Sequence, residues 1–536
     1  MTSYAINGAR APLPQAKTLL VHIVDHMAKT KPQALYAECP ASPVTYDEGF
    51  RKVTYKDFAN AINGVAWCLH DDFGVGKELE TLAYIGPNNF IYPSLIFGAA
   101  KAEYKVLLLS PRNSVAAQLD LIKVTKCKTF ITSGRPLPSV TAILDAASSA
   151  LQTLEIPTIE DLLNTPSKNY PYEKTFDEVC DEPLVVMHTS GSTGFPKPIS
   201  WTNGFCAAYA TSLSLSPPAG FESIDKMYEG NRIFVMFPPF HAAYIAYAAI
   251  PSAQSLSGAL KNNKIDVAFV VPSILEEVSK SPELLEHIST NLDTLVYSGG
   301  DLPLGCGNIV ASRVKLINFY GTTEGASLPL VSSTEETTRE DWKYLHIHPK
   351  ASAEFRPYND TIYELFIVCE KNFENHQQIF KTFPDLQEYQ TRDLFVPHSS
   401  KPNRWSHYGR SDDIIVLVNG EKTYPVPTEQ HILSSHREIS GVIVAGSQRF
   451  QTSLLLEVTS KEELTPACKF DLVETIWPSI EEANATCPTH ARIARSHIIF
   501  VPSDRPMVRT PKGTIMRAAS LAQYNEELDA LYETAD

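Results

Sequence analysis

The chain has 536 residues, 43% hydrophobic and 20% charged, proportions that exclude a disordered polymer and leave room for several domains and a large core. A formal net charge of -15 argues against a nucleic-acid-binding surface, which is usually basic, but permits a small anion in a locally positive pocket. Nine scattered cysteines, an odd count without a CxxC pair, fit a reducing compartment and speak against a cysteine-built metal site. The N-terminus has no apolar signal core, and the most apolar helical stretch, 242–250, is too short to cross a bilayer, so a soluble cytoplasmic protein is expected.

Taken in order, the apolar spacing predicts a helix over 19–28 and an amphipathic one over 56–70. Strands are predicted at 82–86, 106–109 and 129–132, with helices at 90–100 and 117–126 between them. Such alternation suggests parallel α/β layers. Residues 150–182 read as a polar connection. The run Leu184-Val185-Val186-Met187 reads as a buried strand, and 201–215 is apolar enough for a helix. Alternation resumes with strands at 232–237, 266–271, 294–297 and 314–319 and helices at 273–279 and 282–289. Residues 354–369 predict two antiparallel strands around Pro357-Tyr358-Asn359-Asp360, and 414–418 a strand ending in Asn419-Gly420. The remainder reads as a compact α+β unit with a helix at 521–532. The expected fold class is α/β.

Between the strand at 184–187 and the expected helix lies HTSGSTGFPKP, residues 188–198. A loop this rich in small and hydroxyl residues can curl its N–H groups around an anion, and Thr189, Ser190, Ser192 and Thr193 can donate too. Gly191 and Gly194 let the backbone curl, and Lys197 adds a point charge suited to phosphate. A helix beginning just beyond it would help to hold negative charge. This is not the Gly-Lys-Ser/Thr phosphate loop, because Pro196 and Pro198 flank the lysine. An ordinary Ser/Gly turn is the bland alternative.

Four further motifs follow: Asn318-Phe319-Tyr320-Gly321-Thr322-Thr323-Glu324-Gly325, Tyr389-Gln390-Thr391-Arg392-Asp393-Leu394-Phe395, Tyr408-Gly409-Arg410-Ser411-Asp412-Asp413 and Arg509-Thr510-Pro511-Lys512-Gly513-Thr514. Together with the first, in this order, they resemble the adenylate-forming superfamily: acyl-CoA synthetases, luciferases and the adenylation domains of nonribosomal peptide synthetases. HTSGSTGFPKPISWTNG and YGRSDDIIVLVNGEK look most like the adenylation domains of fungal synthetase-like carboxylic (aryl) acid reductases.

The resemblance implies a large N-terminal adenylation subdomain, 1–411, of layered α/β sheets and a small mobile α+β subdomain, 412–536. It implies ATP and Mg²⁺, with AMP as product, and attack of a carboxylate on the α-phosphate to give an acyl-adenylate. Positioning and charge neutralisation are what such chemistry asks of a protein. Thr189 to Lys197 would hold the β- and γ-phosphates, although Pro198 replaces the family's usual glycine. Asn318 to Thr323 would meet the nucleotide: Tyr320 offers a flat face to adenine, Gly321 a close backbone approach, and Thr323 a bond to the α-phosphate. Glu324 would hold Mg²⁺, a hard ion that takes oxygen ligands. Asp393 would accept the ribose hydroxyls, with Tyr408 and Arg410 beside the ribose or phosphate. The family's glycine before this aspartate is Arg392 here. Read alone, Tyr320 is equally a core aromatic, Asp393 a turn aspartate and Arg410 a surface ion pair. Lys512 would be the catalytic cation bridging carboxylate and α-phosphate. Asp412 aligns with the family's hinge, about which the small subdomain would turn after adenylation.

The substrate pocket is expected around His241, Tyr244, Ile245, Ser298, Gly299, Gly300, Phe319 and Ser327. Amino-acid-activating relatives place an aspartate where this chain has His241, and a buried ammonium without a carboxylate partner is costly. An acid without an α-amino group is therefore expected, an aryl acid before a short aliphatic one. His241 would act between the acid and the α-phosphate; a hydrogen-bonded core histidine is the alternative. The acceptor implied is a phosphopantetheine thiol on a carrier domain, with reduction following; free CoA, in a free-standing ligase, is the alternative, and a non-catalytic nucleotide-binding scaffold the remote one. No nucleic-acid or membrane partner is expected.

Overall fold

The computed structural model describes residues 17–147, 151–189, 196–241, 251–334, 339–419, 421–487, 489–510 and 513–534. Three sheets build the N-terminal part. The first has six strands in the order Gln152–Ile156, Thr129–Ser133, Thr81–Tyr84, Lys105–Leu108, Pro183–His188, Pro198–Thr202. All but the last pairing are parallel. Its central strand, Thr81–Tyr84, is buried at every position, as a parallel strand covered on both faces should be. The helix Tyr55–Phe73 opens on a capping box between Thr54 and Asp57 and packs on the helix Ile91–Lys101. Gly98 permits that packing, since a Cβ there would stand 2.7 Å from Val65 Cβ.

The second sheet is four-stranded and fully parallel: Ile233–Val235, Val267–Val270, Thr294–Tyr297, Lys315–Asn318. The third is antiparallel, in the order Tyr344–Leu345, Trp405–Arg410, Glu388–Pro397, Tyr363–Val368, Ala353–Pro357. Beyond residue 414, a three-stranded sheet of Ile439–Ala445, Ser453–Val458 and Ile498–Phe500 carries its own core of Ile415, Leu417, Ile432, Val444, Leu456, Ile476 and Ile480. The helix Pro425–Ser435 of this part contacts the helix Leu304–Ala311 of the N-terminal part.

The structure departs from the expectations in three places. Residues 150–182 contain an edge strand, Gln152–Ile156, and a helix, Ile159–Asn164. Only Leu154 and Ile156 of that strand point inward, so its composition looks polar. The helix expected over 201–215 begins at Asn203, because Pro198–Thr202 is a strand antiparallel to Pro183–His188. Pro198, which cannot donate to a ladder, is tolerated because this strand lies at the sheet edge. The Ser/Thr/Gly loop is thus a hairpin connection, and no helix N-terminus directly follows it. The helix at 521–532 is two, Arg517–Gln523 and Asn525–Thr534, meeting at the fully buried Tyr524. The stretch 242–250 lies outside the described residues. All nine cysteines are free, and among the described residues no helix is long and apolar enough to cross a membrane.

Candidate active site

The candidate site gathers where the parallel strands of the second sheet end, the edge at which open α/β sheets bind ligands. Strand Lys315–Asn318 runs into Phe319 and Tyr320 and then a tight hairpin, Gly321–Thr322 against Ala326–Ser327. A Cβ on Gly321 would lie 2.9 Å from the Ala326 carbonyl oxygen, so this glycine already serves the hairpin's own closure. Side chains from elsewhere fix the turn. The Trp201 indole N–H donates to the Thr323 carbonyl at 2.8 Å, and the Thr382 hydroxyl donates to the Glu324 carbonyl at 2.8 Å. The buried Gln378 amide donates to the Gly325 and Ser327 carbonyls at 2.7 and 3.1 Å. Ser327 is buried and its hydroxyl shares a 2.7 Å hydrogen bond with that of Tyr209.

Asp393 is the centre of a charge cluster. It is 6% exposed, accepts from the Tyr320 hydroxyl and lies 2.9 Å from Arg410 Nη1. His407 Nε2 is 3.9 Å from the same carboxylate, and His407 Nδ1 is 2.7 Å from Asp301 Oδ1. Burial alone would raise the Asp393 carboxyl, but His407, Arg410 and Tyr320 hold it below the ordinary value. Burial opposes charge on His407 too, yet the two aspartates push it up to about 10, so it is an imidazolium at neutral pH. The Tyr320 phenol is held well above its ordinary value by burial and by Asp393.

Tyr408 does not join this cluster. Its ring stands edge-on to Tyr424 at 5.4 Å. The cause is a bulge: Leu394 pairs with Gly409 and Phe395 with His407, leaving Tyr408 without an opposite residue, while Gly409 takes φ 149°. Strict alternation would have put Tyr408 with Arg410; the extra residue brings His407 and Arg410 to one carboxylate instead. His407 was therefore missed from the sequence, the one available signal being Gly409 inside a strand. Trp201 and Gln378 left no sequence signal, because their partners lie more than fifty positions away.

Arg392 adopts φ 65°, the left-handed conformation that glycine takes easily. Its guanidinium lies 3.8 Å from Asp412, which also pairs with Arg410 at 2.9 Å. The next residue, Asp413, faces Arg517 at 3.7 Å, and Arg517 in turn grips Glu429 at 2.6 Å.

Of the hairpin loop, Thr189 and Lys197 close the base: the Thr189 N–H donates to the Lys197 carbonyl at 3.0 Å, and the Lys197 amine is on an exposed residue. Ser190, Gly191, Ser192, Thr193 and Gly194 lie outside the described residues, as do Tyr244, Ile245, Lys512 and the side chain of His241. The flank of Lys512 is placed, however. A Cβ on Gly300 would meet the Thr514 methyl at 2.8 Å, and Gly513, at φ 87°, faces Ser273. Gly513 and Thr514 therefore lie against residues that follow two strands of the second sheet, Val267–Val270 and Thr294–Tyr297. Ser298 and Gly299 lead into Gly300, Gly299 with φ 88°. Phe319 is buried edge-on to Phe269, and the Asn318 amide donates to the Lys343 carbonyl at 3.1 Å. Thr322 accepts from the Gly325 N–H at 3.0 Å. Burial raises the Glu324 carboxyl, with Asp393 adding to the effect and Arg410 opposing it. Among the described residues no group of three His, Cys, Asp or Glu side chains is placed to hold a metal ion.

Tyr320, Arg410 and His407 thus face one buried carboxylate beside the braced turn of Glu324, and the comparisons with known proteins make the chain an adenylate-forming enzyme. The chain belongs to the AMP-binding enzyme family: residues 31–348 match the model of that family and residues 412–536 the model of the AMP-binding enzyme C-terminal domain. It is 31% identical over 98% of its length to a carboxylic acid reductase of Neurospora crassa, covering 51% of it. It is 29% identical over 98% to the isocyanide synthase-NRPS hybrid crmA of Aspergillus fumigatus, covering 34% of it. Thus the chain spans about a third to a half of these relatives. In fold it is similar to a benzoate CoA ligase of Burkholderia xenovorans (TM-score 0.66, 16% identity, 93% of this chain and 99% of that one). It is likewise similar to the anthranilate CoA ligase AuaEII in complex with anthranoyl-AMP (TM-score 0.68, 16% identity, 96% and 100%).

Proposed function

We propose that this chain activates a carboxylic acid lacking an α-amino group, an aryl acid by preference, and passes the acyl group to a phosphopantetheine thiol of a carrier domain for later reduction. The observation that carries the reading is the Asp393–Arg410–Tyr320 cluster lying beside the Glu324 turn. Asp393 accepts ribose hydroxyls, Arg410 neutralises that carboxylate and the nearby phosphate, and Tyr320 presents its ring to adenine. Thr189 to Lys197 take the β- and γ-phosphates, Thr323 the α-phosphate. Glu324 fits Mg²⁺, since it is a partly buried oxygen ligand; the ion would supply charge neutralisation on the phosphates. Lys512 bridges the acid and the α-phosphate while a carboxylate oxygen bonds to phosphorus and the bond to pyrophosphate breaks. In the second step the thiol sulfur bonds to the acyl carbon, loses its proton, and AMP leaves. His241 and the small Ser298-Gly299-Gly300 run, with Phe319 and Ser327, form the slot for the acid.

The division into 1–411 and 412–536, pivoting at Asp412, belongs to the same reading. The similarity to a carboxylic acid reductase favours a carrier acceptor followed by reduction. The fold shared with CoA ligases keeps soluble CoA as the second reading. Acid-dependent ATP–pyrophosphate exchange over a panel of aryl, aliphatic and amino acids tests the first step. Exchange with aryl acids and none with amino acids is expected; a preference for amino acids, or ATP binding with no exchange across the panel, overturns it. Thioester formation on added CoA, and none on a phosphopantetheinylated carrier, would establish the ligase reading instead.

A further inference from the structure

We propose that His407 is a positioning residue, tied to Asp301, that sets the Asp393 carboxylate for a nucleoside sugar and so gives the site its preference for ribose over deoxyribose. This rests on the nucleotide reading of the cluster above.

Three observations place His407 in that role. Its two ring nitrogens face two carboxylates: Nδ1 is 2.7 Å from Asp301 Oδ1, Nε2 is 3.9 Å from Asp393 Oδ1. Phe395 stands edge-on to the imidazole at 5.4 Å and 81°, fixing the ring plane. The bulge at Tyr408 exists between His407 and Arg410 and turns both toward Asp393. Asp301 follows the Gly299-Gly300 loop of the second sheet, whereas His407 and Asp393 belong to the third. The imidazolium is thus a strut between the two sheets whose ends form the site.

The physical need for it is the burial of Asp393. A carboxylate 6% exposed is costly to keep ionised unless cations face it. Arg410 supplies one, but Arg410 is shared with Asp412, at 2.9 Å from each carboxylate. His407 supplies the second and, with Arg410, faces Oδ1, leaving Oδ2, now bonded to the Tyr320 hydroxyl, as the oxygen that can exchange its partner for a sugar hydroxyl. Without His407, Asp393 turns or takes up a proton, and a protonated acid no longer accepts two hydroxyl donors equally.

The test compares wild type with His407→Phe, His407→Gln and Asp301→Asn, using ATP, 2′-deoxy-ATP and 3′-deoxy-ATP. In pyrophosphate exchange, His407→Phe is expected to raise the KM for ATP roughly tenfold, to leave the KM for the acid within about twofold, and to shrink the preference for ATP over the deoxy analogues. His407→Gln, which keeps a donor, restores part of the preference, and Asp301→Asn reproduces part of the loss. Equilibrium binding of the same three nucleotides reads the inference without catalysis. A His407→Phe protein that melts with wild type and keeps both ATP affinity and sugar discrimination overturns the proposal. So does an equal loss for all three nucleotides in His407→Gln and Asp301→Asn should His407→Phe not fold. Wild type that binds ATP but exchanges with no acid overturns the adenylation reading and not this one; wild type that binds no ATP overturns both.

Discussion

The Trp201 indole hydrogen-bonds the Thr323 carbonyl at 2.8 Å, joining the outgoing strand of the Ser/Thr/Gly hairpin to the turn that carries Glu324. The ring itself is stacked on Phe205 at 4.5 Å and 23°. Trp201→Phe keeps the stack and removes the bond. The expected outcome is a stability loss of about 1 kcal/mol by urea titration. A several-fold fall in pyrophosphate exchange should accompany it, because the phosphate hairpin and the Glu324 turn lose their shared register.

Gly513 and Thr514, the residues after Lys512 in sequence, lie against Ser273 and Gly300. Lys512→Ala should lower acid-dependent exchange by about 100-fold or more, the scale on which a preorganised charge at a transition state acts. ATP affinity, which the proposed function assigns to Asp393 and the hairpin, should change little in a binding titration.

The Asp412–Asp413 pair is held from both sides, Asp412 by Arg410 and Arg392, Asp413 by Arg517. Proline at 412 fixes φ and removes a torsion the pivot requires. Asp412→Pro is expected to retain pyrophosphate exchange and to lose thioester formation on a carrier or CoA, measured in parallel on one preparation. Normal thioester yield would remove the pivot from the proposed function.

Arg392 sits at φ 65° and its charge is largely exposed. Arg392→Gly relieves about 1 kcal/mol of left-handed strain. Greater freedom of the unfolded chain offsets part of this, for a net gain of about 0.5 kcal/mol. The exposed contact to Asp412 is of little energetic weight. Denaturant midpoints of wild type, Arg392→Gly and Arg392→Ala separate strain from charge, since alanine keeps the strain and loses the charge.

Asp225 is 5% exposed, and burial pushes its carboxyl up to about 7 despite a hydrogen bond from Ser223. Its folded value lies above the unfolded value of 3.8, so the protonated acid favours the fold. That contribution is complete below about pH 4 and is lost as pH rises through about 7. Asp225→Asn should match wild type near pH 4 and melt higher than wild type above pH 7, with thermal denaturation across that range as the measurement.

The sequence by itself determined the α/β class and the parallel strands of both large layers other than the edge strand Gln152–Ile156. Buried parallel strands are continuous apolar runs, and Asp393, Arg410 and Glu324 stand out only through the resemblance of the motifs that carry them, each having a bland reading when taken alone. What only the tertiary structure decided are the features that depend on pairing. A single unpaired residue at Tyr408 exchanges Tyr408 for His407 at the Asp393 carboxylate. An edge-strand pairing turns the start of an apparent helix into the strand Pro198–Thr202. Neighbours more than fifty positions distant, Trp201 and Gln378, fix the Glu324 turn. Register and long-range contact are properties of two segments at once, and periodicity within one segment carries no record of them.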